Sequence, residues 1–191
     1  MKLISMIVCS AAAVLTSLVL PAVASATDVH CTSENGADIT VIDGHTACRA
    51  ASDLLGQAKS VGIDGVGYAN ATLGATAIGI GMAGGVGASD GAGGIPIALG
   101  IGQDAIARSS IDGAGDSDSA VNPDSAVESR PTGAPLIAAS VALDGSRAAV
   151  QTGENTVVCL GTGAFAWNSR TGDTCLSTPF GRWQTPVHQL P

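Results

Sequence analysis

The 191-residue chain predicts a mainly β protein with an irregular, solenoid-like β-roll at its centre, one short N-terminal helix and stabilising disulfides. Three observations carry that expectation. From Gly74 to Gly94 nine of 21 residues are glycine, and each would cost a helix about 1 kcal/mol relative to alanine, which excludes a helix there. The same segment keeps returning to Ile, Val and Ala, unlike the Ser-, Glu-, Lys- and Pro-rich linkers that stay disordered, so it has something to bury. What recurs is a small residue, a branched aliphatic and Gly-x-Gly: AIGIGMAG from Ala77, ALGIGQDA from Ala98 and CLGTGAFA from Cys159, with a looser copy, VALDGSRAAV, from Val141. Each copy offers a few residues of strand followed by a tight glycine turn. A coil that turns so often has a narrow interior, which predicts Ala, Val and Ile inside and aromatics excluded.

The elements follow in order. Lys2 precedes an uncharged, mostly apolar run from Leu3 to Ala26 that closes on Ala24, Ser25 and Ala26. A positive start, an apolar middle and small residues at the cut describe a secretory signal peptide, so residues 1–26 are expected to be removed after Ala26 and the rest secreted or held at the cell wall. The remaining cysteines, Cys31, Cys48, Cys159 and Cys175, then enter an oxidising compartment, where an even count reads as two disulfides. Of the three pairings the expected one is local, Cys31 with Cys48 and Cys159 with Cys175, each stabilising by about 3 kcal/mol through loop closure.

Residues 27–60 read as a β-hairpin plus helix. Val29 to Thr32 and Asp38 to Ile42 alternate as short strands across the turn signal Glu34, Asn35, Gly36,. Asp43 and Gly44 then break the pattern, and Thr46 caps a helix from Ala47 to about Ser60 with Ala47, Ala51, Leu54, Leu55 and Ala58 on one face,. The first disulfide would fasten that helix to the hairpin. Residues 61–108 form the Gly/Ala-rich roll. Across 109–135 Asp112, Asp116, Asp118, Asp124 and Glu128 gather among Ser, Gly and Pro, an exposed acidic loop,. Residues 136–191 form a C-terminal β segment in which Phe165, Trp167, Phe180 and Trp183, four of the five aromatics, are expected to cluster with Cys159 and Cys175,.

Charge narrows the function. Sixteen acidic residues stand against eight basic ones, a balance that excludes nucleic acid, which is held by neutralising its phosphates, and disfavours an anionic membrane. Its plain consequence is solubility. A further copy of the chain or a cell-envelope component is the expected partner.

Several catalytic patterns occur in the wrong surroundings. Gly79, Gly81 and Gly84 satisfy G-x-G-x-x-G with Asp104 about 20 residues on, but the glycine-rich continuation cannot form the helix that would hold a pyrophosphate. Gly87, Ser89 and Gly91 satisfy G-x-S-x-G, with His188 downstream and Asp144 or Asp173 as acids, yet the nucleophile elbow needs a strand before and a helix after its serine. For calcium, GGVGASD from Gly84 puts Ser89 where the roll-forming repeat needs aspartate,. Asp112, Asp116 and Asp118 miss the EF-hand spacing. His30, Cys31, His45 and Cys48 lack zinc-site spacing, and exported thiols oxidise. No catalytic, metal or cofactor-binding residue is therefore assigned, and no cofactor is expected.

GASDGAGGIPIALGIGQDAIA, from Gly87 to Ala107, and VALDGSRAAVQTGENTVVCLGTGAFA, from Val141 to Ala166, resemble the repeats in the heads of trimeric autotransporter adhesins. The resemblance implies a left-handed β-roll and an adhesive role. The spacing departs from it, with 21 residues between the Ala77 and Ala98 copies and 18 between Val141 and Cys159, and heptads are lacking. The layout of signal peptide, early cysteine pair and Ala/Gly centre is similar to small secreted proteins of unknown function from mycobacteria and related actinobacteria, which implies a compartment and no activity. The expected function is thus a secreted or cell-surface structural or adhesive protein that is not an enzyme. Its rivals are a membrane-inserted glycine zipper through the uncharged stretch Gly65 to Ser89, with Gly81 and Gly85 as its G-x-x-x-G contact, and a small secreted serine hydrolase using Ser89.

Overall fold

A computed structural model describes residues 27–113 and 135–185. The expected signal peptide, His188 and most of the acidic loop lie outside the described residues. Within them the backbone is extended almost throughout, in fifteen strands: β1 (Asp28–Glu34), β2 (Asp38–Asp43), β3 (Thr46–Ser52), β4 (Gln57–Ile63), β5 (Val66–Thr72), β6 (Thr76–Met82), β7 (Val86–Ala92), β8 (Ile95–Ile101), β9 (Ile106–Ile111), β10 (Ile137–Leu143), β11 (Arg147–Gln151), β12 (Thr156–Leu160), β13 (Ala164–Asn168), β14 (Thr174–Thr178) and β15 (Gly181–Gln184).

The strands fall into two facing sheets, alternating between them from β3 to β11. Sheet A runs β1-β4-β6-β8-β10-β13-β14-β15 and sheet B runs β12-β11-β9-β7-β5-β3-β2. Between β3 and β11 every pairing is parallel, so each coil lays one strand in sheet B and the next in sheet A. Gln57 pairs with Thr76 in sheet A and Val66 with Val86 in sheet B, a coil of 19 to 20 residues. The roll is therefore real. It is longer than residues 61–108, and the register jumps from Ile95 to Ile137 where the acidic segment is inserted at a corner. Antiparallel strands close both ends, β1 on β4 and β2 on β3 at one, β12 on β11 and β13 on β10 at the other. The CLGTGAFA copy thus belongs to the cap. The Ala77 and Ala98 copies are aligned two residues away from the true register, in which Gly79 meets Ala98. A slip of two keeps every side chain on its own face, which is why the repeat was visible at all.

The helix expected over Ala47 to Ser60 is not formed: the segment is β3, a corner and β4. Thr46, Cys48 and Ala50 alternate inward, while Leu54 and Leu55, placed on the helix's apolar face, are 78% and 75% exposed at the corner. Extended, this segment hydrogen-bonds to neighbours on both edges, β2 and β5. Paired backbone on two sides outweighs the modest helix preference of its alanines. The hairpin is also absent. The turn at Asn35 and Gly36 has the expected positive φ, 56° and 80°, but it carries the chain from sheet A to sheet B, and β1 pairs with β4 while β2 pairs with β3.

The interior is thinner than expected. Inward positions of the central coils hold alanine, glycine and serine, such as Ala58, Ser60, Ala69, Ala77, Ser89 and Ala98, all essentially inaccessible. At Gly79 a Cβ would overlap the carbonyl oxygen of Tyr68, and at Gly87 that of Ile80, so the two backbones touch directly there. Stacked sheets normally lie about 10 Å apart. Few branched aliphatics fit between sheets this close. The expectation that Val and Ile point inward is corrected: Val29, Ile111, Val150 and Val157 do so, whereas the isoleucines of β6 and β8 point outward. The aromatic cluster is corrected for the same reason. Phe165 and Trp167 occupy outward positions of β13, and Phe180 and Trp183 are 94% and 54% exposed.

Two serine hydroxyls of the thin core donate to backbone carbonyls, Ser109 to the facing sheet and Ser89 to its neighbour in sheet B. Ser109 Oγ bonds the Ile97 oxygen and lies 2.9 Å from Ser140 Oγ, and Ser89 Oγ reaches the Tyr68 oxygen at 3.4 Å.

Candidate functional site

The four cysteines assigned from the sequence pair as expected, Cys31 with Cys48 and Cys159 with Cys175. Their geometry gives them a different task from fastening a helix. Cys31 on β1 and Cys175 on β14 belong to sheet A, and Cys48 on β3 and Cys159 on β12 to sheet B. Each bridge therefore crosses the core and clamps one end of the roll, at Cα separations of 5.7 and 5.9 Å. All four sulfurs' residues are buried. These bonds are structural.

The discarded motifs are absorbed by the scaffold. Ser89 is 0% exposed between the sheets. Gly79 and Gly81 lie on β6 and Gly84 at the corner after it. Gly65 to Ser89, the stretch long enough for a membrane zipper, runs through β5, β6 and β7. Among the described residues no helix is long and apolar enough to cross a membrane.

With the interior filled, the chemistry lies on the two outer faces. On sheet B, register places Arg49, Tyr68, Ala88 and Arg108 directly across neighbouring strands. Two strand spacings put Tyr68 and Arg108 about 10 Å apart. Ala88 between them is too small to fill the gap, leaving a hollow of about 290 Å³ bordered also by Asp90. Asn70 Nδ2 donates to Asp90 Oδ1 at 3.3 Å, fixing the carboxylate at the rim. On the far side of the ring, the Arg49 guanidinium carbon stands 5.9 Å from the Tyr68 centroid, a cation–π contact that fixes the phenol's orientation. Arg49 also forks onto Asp38, Nε to Oδ1 at 3.1 Å and Nη2 to Oδ2 at 2.8 Å. That hydrogen-bonded pair holds the Asp38 carboxyl below its ordinary pKa and raises the guanidinium's.

A second carboxylate holds a corner. Asp53 accepts N–H bonds from Leu73 at 2.7 Å, Leu55 at 2.9 Å and Gly56 at 2.6 Å. Those donors, Leu73 first, lower its pKa. The first of them belongs to the next coil, so this one side chain ties adjacent corners together.

The outer face of sheet A is apolar. Val61, Ile80, Leu99, Val141, Phe165 and Leu176 form one unbroken cross-strand row that ends on Trp183. At Gly163 the parallel row through Met82, Ile101 and Leu143 lacks a side chain, which opens a groove of about 230 Å³ between Leu143, Phe165 and Leu176.

None of Tyr68, Asn70, Asp90 or Arg108 was singled out from the sequence. The available signal was a spacing of 19 to 20 residues linking Arg49, Tyr68, Ala88 and Arg108, and 20 linking Asn70 with Asp90. That spacing forms no motif, because these residues are neighbours only through the coil period.

A family model described as a family of unknown function (DUF6764) matches residues 1–119. No curated protein and no solved structure matches the chain.

Proposed function

The chain belongs to DUF6764, a family of unknown function, and on that premise we propose that it is an exported structural or adhesive scaffold that binds through the outer face of sheet B. The observation that carries this reading is the hollow between Tyr68 and Arg108, with Asp90 at its rim. It presents an aromatic ring, a guanidinium donor and an oriented carboxylate acceptor around one hollow. That combination suits a hydroxylated ligand such as a saccharide, whose C–H face stacks on the phenol while its hydroxyls bond to Arg108 and Asp90. All these groups stand on strands of a clamped roll, so little ordering entropy is lost on binding.

Export rests on the apolar leader from Leu3 to Ala26, and the two sheet-bridging disulfides are compatible with an oxidising compartment,. A left-handed winding of the coils, implied by the resemblance to adhesin heads, belongs to the same proposal. The test is retention of the purified chain on immobilised polysaccharides. Tyr68→Ala and Arg108→Ala should each abolish retention while leaving the circular dichroism spectrum unchanged. Retention of both variants at the original level would sink the reading, as would recovery of the chain solely inside the cell with residues 1–26 intact.

A further inference from the structure

Outward side chains in this roll are free to be polar, since among the described residues nothing packs over them. Sheet B uses that freedom and sheet A does not. From β6 through β14 none of the outward positions of sheet A carries a charge, and β6, β8 and β10 present Ile78, Ile80, Ile97, Leu99, Ile101 and Val141 in register; on the edge strand β15 the exposed Arg182 lines a hollow with Leu176 and Trp183. High β-propensity of branched residues does not account for this, because β5, β7 and β9 form equally regular strands with Tyr68, Asn70, Asp90 and Arg108 outward,.

The extent of the face decides what it can do. Six strands at about 4.8 Å, three of seven residues and three of four or five, give about 550 Å². Contiguous apolar patches of several hundred Å² mark interaction sites. Two such faces in contact would remove about 1,100 Å² from water, above the roughly 1,000 Å² that a specific protein interface clears.

We infer that the outer face of sheet A seats the same face of a second copy of this chain, related by a two-fold axis. Charge selects this occupant. The chain carries a formal −8, yet its acidic groups are absent from this face between β6 and β15, so two copies meet there without bringing carboxylates together. Beside this face Lys59 on β4 and Arg182 on β15 bear positive charge, too little to draw the chain onto an anionic membrane. The face is also self-complementary in relief. It carries the Gly163 groove, lined by Pro179, and beside that residue Phe180 stands 94% exposed. A protruding ring and a receiving groove on one surface are what a two-fold contact requires. The inference rests on the scaffold reading and sharpens it, because pairing through sheet A leaves both sheet B hollows outward and makes binding bivalent.

The test is light scattering behind size exclusion on protein exported from the full-length chain, at roughly 50 µM, above the micromolar Kd at the weak end for interfaces of this area. A dimer is expected. Leu99→Lys and Val141→Lys should each weaken it by more than about 100-fold, since each buries an unpaired ammonium in the contact. Ala88→Lys, on sheet B, should leave the dimer intact. Circular dichroism and a cooperative melt identify any variant that has unfolded; Phe180→Ala, at an exposed turn, is the substitute and should weaken the dimer at least tenfold. A monomer at that concentration overturns the inference, as do a trimer, a dimer insensitive to all three sheet A substitutions, or a monomer that floats with phosphatidylcholine vesicles. Loss of polysaccharide retention with the dimer intact would strike the sheet B reading alone, and the converse result would strike only this one.

Discussion

The two outer faces stand on one interior and share one coil period, yet sheet A carries Ile80, Leu99 and Val141 where sheet B carries Tyr68, Ala88 and Arg108. The core imposes neither choice. In the central coils the inward positions of both sheets are mostly Ala, Gly and Ser because the backbones nearly touch. The contrast teaches that in a roll this thin the usual logic of a β-sandwich is reversed: the interior selects for smallness, and large apolar side chains become a surface property that can differ from one sheet to the other.

The sharpest way to break the comparison is to disturb what both faces share. Gly79→Ala places a methyl onto the Tyr68 oxygen and is expected to cost more than about 4 kcal/mol, seen as loss of a cooperative thermal transition and of exported protein. Ile80→Thr, one residue along and facing outward, should cost only about 1 kcal/mol. Equal effects from the two would mean that the backbones are not in contact.

Next in size is removal of a clamp. Replacing Cys31 and Cys48 together by serine should destabilise by about 2–5 kcal/mol and raise hydrogen exchange in β1 to β3. The central strands should retain their protection. Uniform loss of protection across β6 to β9 would show that the bridge stabilises the whole roll instead of holding one end of sheet A to sheet B.

Acid tests the corners. The Asp53 pKa is lowered in the folded chain from its ordinary 3.8, so its stabilising effect is complete above that value and fades as pH falls through the lower folded value. Asp53→Asn should lower the melting temperature near neutrality, and the gap from the wild type should narrow as pH falls below the ordinary 3.8,. A gap that stays constant with pH would remove the carboxylate's charge from the explanation. Asp38 titrates in the same direction through Arg49, so the comparison is made in an Asp38→Asn background.

The smallest effect is a gain. Ala83 sits at a corner with φ of 50°, where an L-residue is strained. Ala83→Gly should add about 0.5–1 kcal/mol by urea denaturation, after the entropy that glycine adds to the unfolded chain. No gain, or a loss, would show that the corner is held by its coil-to-coil bonds, such as Ala83 N–H to the Ile63 oxygen, tightly enough to make the strain irrelevant.

Residue type and order alone determined the β class, the roll and both disulfides, whereas the Gly-x-Gly glycines read as turns, Gly79, Gly81 and Gly100, lie inside β6 and β8 because only a residue without a side chain fits between sheets this close. Glycine density forbids a helix wherever it occurs, and four cysteines in short local pairs leave little room for error. The same reading placed a helix over Ala47 to Ser60 and turned the isoleucines inward. Both errors have one origin: the spacing between the sheets cannot be read from a strand's own sequence, since alternation says which residues share a face and is silent on which face is inside. That decision was tertiary. Only when Gly79 and Gly87 bring the sheets into backbone contact does the smaller set become the core, the larger set the surface, and Tyr68, Asp90 and Arg108, some twenty residues apart in the chain, a single site.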